Sequence, residues 1–170
     1  NEALNTHPNR KSTMPSQSQR LAFVFNDGGR SAAGFRGQAD DCVARAVAIA
    51  ADLSYAEVYA AIAKGVGAER GSKGATARHG VHTGRKWFRD FMCELGFSWV
   101  PTMHVGNGCT THLSHGELPM GRLVVRLSKH TVAVLDGVIH DTFDPSRETQ
   151  VAESDGSVRL SNRCVYGYWV

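Results

Sequence analysis

The residues best suited to covalent chemistry are Cys42, at the start of an apolar segment, and His130 and Asp141 far downstream. The Ala- and Val-rich stretch after Asp41 predicts a helix whose first turn carries the Cys42 thiol. The positive end of a helix dipole favours the thiolate, which is the nucleophilic form of cysteine. A histidine base held by a carboxylate would complete the arrangement of nucleophile, base and orienting acid. The three residues therefore predict a Cys-His-Asp site.

A hairpin turn predicted at Asp136-Gly137 connects the histidine to the carboxylate. If Leu135 pairs with Val138 across a two-residue turn, alternation along the strands places His130 and Asp141 on one face of the sheet. As diagonal neighbours they would lie roughly 7–8 Å apart between backbones, within reach of their side chains. The turn therefore predicts a base held by an orienting acid.

Other assignments remain open for each member of the site. A turn of odd length would shift the face relation by one residue and select Asp144 as the acid instead. A cysteine in an apolar helix is often a small buried hydrophobic residue, so Cys42 has a purely structural alternative. His130 could be an exposed strand histidine, and Asp141 could simply close a turn.

Helices are expected in the first part of the chain, and strands dominate the rest. Apolar side chains recur at helical spacing, a capping box begins at Ser54, and Gly96 is placed to end the third helix. The expected helices cover about 41–52, 54–63 and 85–95, with a short one at 110–115. The expected strands cover 21–25, 122–127, 131–135, 138–142, 158–160 and 163–170. This order predicts an α+β domain over 21–170, with helices packed on one side of a mainly antiparallel sheet.

Two segments are expected to lie outside these elements. Residues 1–20 are polar and nearly without large apolar side chains, so they predict a flexible tail, and both Asn1 and Met14 are candidate starts of the natural chain. Residues 65–84 are rich in glycine and predict a long loop that could border a substrate cleft.

The order of these elements resembles the papain-like cysteine peptidase superfamily, in particular its small double-glycine-peptidase-like hydrolases of phages and bacteria. Asp41-Cys42 opens a helix, His130 begins a strand, and Asp141 lies on the next strand, so the likeness spans most of the folded body. The resemblance implies thiol chemistry on a peptide, protein or other amide-type substrate, with no cofactor and no metal.

The family pattern also implies an oxyanion-stabilising glutamine before the cysteine, at the position that Arg36 holds here. The nearby amide is Gln38, so we expect the Gln38 side chain and the Cys42 backbone N–H to serve as oxyanion donors. The departure at Arg36 favours an alternative, a catalytically inactive papain-fold binding module such as a phage or mobile-element accessory protein.

Composition limits the remaining function classes. The 170 residues carry a formal net charge of only +3, and Arg10, Lys11 and Arg20 against Glu2 place most of it in the tail. Nucleic acid is therefore an unlikely partner. We find no transmembrane segment or signal peptide and expect a soluble cytoplasmic protein of unassigned oligomeric state.

The cysteines and histidines are scattered through the chain. The four cysteines form no CxxC pair, so we expect mostly free thiols, with two of them in or near the core: Cys93 and Cys164. Pairs of histidines three residues apart raise the question of zinc: His79 with His82, and His112 with His115 close to Cys109. Without a CxxC or HExxH motif, this spacing is more typical of solvated loops than of a metal site.

Overall fold

The computed structural model describes residues 20–69, 76–152 and 154–170. The expected tail over 1–20 lies outside the described residues, except for Arg20. Within the described ranges no helix has the length and apolar character needed to cross a membrane.

Among the residues described, three helices form where periodicity predicts them: α1 Cys42–Ala51, α2 Tyr55–Gly67 and α3 Lys86–Glu94. The predicted capping box is present, because the Ser54 side chain accepts a hydrogen bond from the Glu57 backbone N–H at 3.3 Å. Helix α2 extends past its predicted end at residue 63 and includes Gly65. A Cβ at Gly65 would stand only 2.2 Å from the Trp87 ring, so this glycine allows α3 to pack closely.

In the described part of the chain, eight strands form two sheets: β1 Ala22–Phe25, β2 Trp99–Pro101, β3 Arg122–Leu127, β4 His130–Leu135, β5 Val138–Asp141, β6 Thr149–Ala152, β7 Val158–Ser161 and β8 Val165–Trp169. The larger sheet has the order β1-β5-β4-β3-β8-β2, and β6 pairs with β7 in a separate ribbon. All pairings are antiparallel except that between β1 and β5. The structure is therefore α+β with a mixed, mainly antiparallel sheet; β2 and β6 were not predicted.

Helix α1 is the central helix, since it packs against β3, β4 and β5 and is buried from Val43 to Ala50. The helical core includes Val124, Ala133 and Trp169 from one face of the sheet. A second apolar cluster covers the opposite face and includes Leu113, from the segment before β3. This packing holds the N-terminal end of α1 beside the start of β4 and the end of β5.

Gly167, in the aromatic last strand, has no side chain and therefore lets β2 pack closely on β8. A Cβ at this position would lie 2.3 Å from the Trp99 ring. The pairing of β8 with β3 also shifts between Arg126 and Leu127, which marks a bulge beside Gly167.

The prediction of a short helix at 110–115 is wrong. This segment instead makes isolated bridges, between His112 and Cys164 and between Ser114 and Arg20. Hydrogen bonds to the chain just before and within β8 hold it extended, including one of 2.8 Å from the Leu113 N–H to the Arg163 carbonyl. Tertiary pairing therefore overrides the local helical signal.

The expectation of mostly free thiols is also wrong in part. The bridge at His112 brings Cys109 alongside Cys164, their Cα atoms are 5.8 Å apart, and the two cysteines form a disulfide. Cys42 and Cys93 are free. Cys93 is exposed rather than buried, because it lies off the apolar stripe of α3 that Phe88 and Met92 define.

Candidate active site

The hairpin turn at Asp136 and Gly137 sets the geometry of the site. Both residues have positive φ, 47° and 77°, as a two-residue type I′ turn requires. The predicted pairing of Leu135 with Val138 is confirmed, and it continues through Ala133 with His140. Asp144, the alternative acid, lies beyond the end of β5 and pairs with Arg20 at 2.5 Å.

This register brings His130 and Asp141 into direct contact. The Nε2 atom of His130 lies 2.5 Å from Oδ2 of Asp141. Their side chains are only 10% and 4% exposed, so the pair is largely shielded from water. The second oxygen of Asp141 accepts a hydrogen bond from the Thr142 N–H at 2.7 Å and lies 3.8 Å from Nη2 of Arg45. The carboxylate is therefore fixed from both sides.

Cys42 is the first residue of α1 and is partly exposed. It lines the same cavity as His130, and its thiol is one of the groups that shift the pKa of the His130 ring. Burial of the imidazole lowers its pKa, but the hydrogen bond to Asp141 and the electrostatic influence of Asp141 and Cys42 outweigh that effect. Together they raise the pKa of His130 to about 9. The protonated imidazole is thus the favoured form at neutral pH.

A buried charge network below Cys42 was not predicted. Asp41 is fully buried and contacts the Arg45 guanidinium and the Tyr55 hydroxyl. It also lies 2.8 Å from Nε of Arg30. Burial, together with the hydrogen bond to Asp41, raises the pKa of Tyr55. Since Arg45 also approaches Asp141, this network connects the start of α1 with the acid of the site.

One ion pair of this network is indicated by the sequence. Asp41 and Arg45 have the i,i+4 spacing of a helical ion pair, but that spacing is more typical of exposed pairs. The contributions of Arg30 and Tyr55 come from a preceding turn and the next helix, so they depend on tertiary packing that local patterns do not encode.

Cys42 and His130 open into a cavity of about 1260 Å³. Gln38 lies in its wall, as a candidate oxyanion donor must, and the Gln38 carbonyl accepts a hydrogen bond from Arg78. Residues 80–84 form another part of the wall. This part of the expected loop over 65–84 therefore borders the cleft; residues 65–67 belong to α2, and 70–75 lie outside the described residues.

The two candidate zinc motifs have other partners. His79 lies 3.2 Å from Asp40, and His112 lies 3.0 Å from Glu117. Cys109 is engaged in the disulfide. In the part of the chain that the structure describes, no three or more His, Cys, Asp or Glu side chains are grouped to hold a metal ion.

Comparison with known proteins returns no relative: the chain matches no protein-family model, no curated protein and no solved structure. The chemistry of the site is therefore inferred from the arrangement of Cys42, His130 and Asp141.

Proposed function

We propose that this protein is a papain-like cysteine hydrolase, a peptidase or amidase, in which Cys42 is the nucleophile. The observation that carries the proposal is the shielded His130–Asp141 pair, which borders the same large cavity as the Cys42 thiol at the N-terminal end of α1. The order of nucleophile on a helix, base on β4 and acid on β5 is that of the papain-like superfamily.

The orientation of His130 supports different roles for its two ring nitrogens. Nε2 faces Asp141, which leaves Nδ1 to exchange a proton with Cys42. The raised pKa of His130 favours transfer of the thiol proton to the ring, giving a thiolate and an imidazolium. Asp141 stabilises that imidazolium and holds its plane.

The reaction then follows from these positions. The thiolate sulfur attacks the substrate carbonyl carbon, and the carbonyl electron pair moves to oxygen. The Cys42 backbone N–H, which lies in the first turn of α1, and the Gln38 amide are the proposed donors to this oxyanion. As the intermediate collapses, the carbon–nitrogen bond breaks, and His130 gives its proton to the leaving amine.

The resulting thioester is cleaved by water. Neutral His130 takes a proton from the water as its oxygen attacks the thioester carbon. The carbon–sulfur bond then breaks, the carboxylic acid product leaves, and the proton on His130 again pairs with the Cys42 thiolate. Overall, one water is consumed for each amide bond cleaved.

Cleavage of a mixed peptide library tests this proposal. We expect new peptide N-termini, detected by mass spectrometry, with the wild-type protein and none with Cys42→Ala. Cys93→Ala is the matched control, because it removes the other free thiol and should leave cleavage unchanged. Cleavage that persists in Cys42→Ala would contradict the assignment of the nucleophile. If neither wild type nor Cys93→Ala cleaves any peptide, the inactive binding module that Arg36 favours becomes the better account.

A further inference from the structure

A second, smaller cavity adjoins the proposed active site. It has a volume of about 570 Å³ and shares residues 128–130 and Phe143 with the larger cavity. Besides Lys129 in the β3–β4 turn, its wall contains Arg147 and Arg163. No carboxylate belongs to this wall among the described residues. A substrate that spans the two cavities would pass over His130 and meet three cations.

Among the described residues, these cations have no acidic partner within ion-pair distance. None of the ion pairs between described side chains involves Lys129, Arg147 or Arg163. Partial burial of Arg163 and the charge of Arg147 both lower the pKa of Arg163, so the two guanidiniums repel each other. The Arg163 side chain is held in place by a hydrogen bond of 2.6 Å to the Ser128 carbonyl.

Four other arginines line the larger cavity; among the described side chains Arg126 has no ion pair either, whereas the remaining three differ from this group. Arg30 and Arg45 contact Asp41, and Arg85 lies 3.5 Å from Glu69. Their charges are therefore balanced within the protein. Since the whole chain carries a formal charge of only +3, the unbalanced charge beside His130 is a local feature.

We propose that the substrate is an acidic peptide whose carboxylate side chains lie against Lys129, Arg147 and Arg163. This inference rests on the proposed hydrolase function. Guanidinium groups donate paired hydrogen bonds that match the two oxygens of a carboxylate, and the repulsion between Arg147 and Arg163 is relieved when an anion binds.

Two small alkylating reagents that differ in charge test the electrostatic environment of Cys42. Iodoacetamide is neutral and iodoacetate is an anion; in both, the thiolate sulfur forms a bond to carbon and iodide leaves. We expect the ratio of the iodoacetate rate to the iodoacetamide rate to be higher at Cys42 than at Cys93. The exposed Cys93 thiol is an internal reference in the same sample.

Charge reversal assigns the effect to specific residues. At about 10 Å in water one unit charge changes a rate about twofold, so Lys129→Glu and Arg147→Glu should each lower the Cys42 ratio about fourfold at low salt. Lys64→Glu is the matched control, because Lys64 is exposed on α2 and lines neither cavity. An unchanged ratio in both cavity variants would overturn the inference, whereas slow reaction of Cys42 with neutral iodoacetamide would count against the hydrolase proposal instead.

Peptide probes then test the class of substrate. A peptide chloromethyl ketone with Glu beside the reactive group should label Cys42 faster than its Gln counterpart, and Lys129→Glu should remove the difference. Equal rates for the two ketones would overturn the assignment. Protection of Cys42 by a single-stranded oligonucleotide but not by a Glu-rich peptide would also overturn it, in favour of a nucleic acid ligand.

Discussion

Asp141→Asn should lower the pKa of His130 markedly, because it removes the carboxylate charge from a shielded imidazole. The pKa of His130 is raised from 6.5 to about 9, a difference that corresponds to about 3 kcal/mol in favour of the imidazolium. Asp141 and Cys42 share this effect, while burial opposes it. Without the Asp141 charge, burial is balanced by Cys42 alone, so we expect the pKa to fall by more than about one unit.

A pH titration followed by NMR measures this change directly. The imidazole C–H resonance of His130 can be distinguished from those of the other histidines by its absence in His130→Gln. Asp144→Asn is the matched control, since Asp144 pairs with Arg20 and not with His130. The reasoning would be refuted if wild-type His130 titrated near 6.5, or if Asp141→Asn and Asp144→Asn had the same effect.

Three further predictions concern stability in urea. The pKa of His130 in the folded protein exceeds its ordinary value of 6.5, so the contribution of His130 to stability is complete below pH 6.5 and is lost as pH rises through about 9. The free energy of unfolding should therefore fall over this range. Asp41→Ala should lower the free energy of unfolding by about 3–5 kcal/mol, because Arg45 loses its buried partner. Gly65→Ala should lower it by about 1–3 kcal/mol, because the new methyl group meets the Trp87 ring.

Each stability prediction has its own control variant. His130→Gln should flatten the pH dependence between 6.5 and 9, and an unchanged profile would contradict the assignment to this residue. Asp40→Ala removes an exposed carboxylate next to Asp41 and should cost no more than about 1 kcal/mol; an equal loss in the two variants would refute the role of burial. Gly67→Ala adds a methyl group with nothing within 4 Å, so destabilisation equal to that of Gly65→Ala would exclude the steric explanation.

The pairing of His130 with Asp141 could be predicted because it depends on local rules. Asp-Gly is typical of a two-residue turn, and the period of two along a strand then fixes which side chains share a face. The start of α1 at Cys42 likewise follows from apolar periodicity in adjacent residues. These local signals were enough to place two of the candidate site residues in contact.

The rest of the site depends on contacts between segments that are distant in the chain. The parallel pairing of β1 with β5 and the approach of Arg30 to Asp41 have no local signature. Cys109 and Cys164 are 55 residues apart, and their disulfide requires a bridge that only the folded chain provides. Gly65 was expected in a loop but belongs to α2, where the Trp87 ring packs closely against it. That contact also depends on tertiary structure.

The most direct test of the central claim is the relative rate at which iodoacetamide alkylates Cys42 and Cys93 at pH 7, measured by mass spectrometry. Accessibility alone favours Cys93, which is exposed, over the partly buried Cys42. Activation by His130 and the start of α1 predicts the reverse order, by about tenfold or more, and a selective loss of Cys42 reactivity in His130→Ala. Faster reaction of Cys93, or a Cys42 rate that does not change in His130→Ala, would contradict the account.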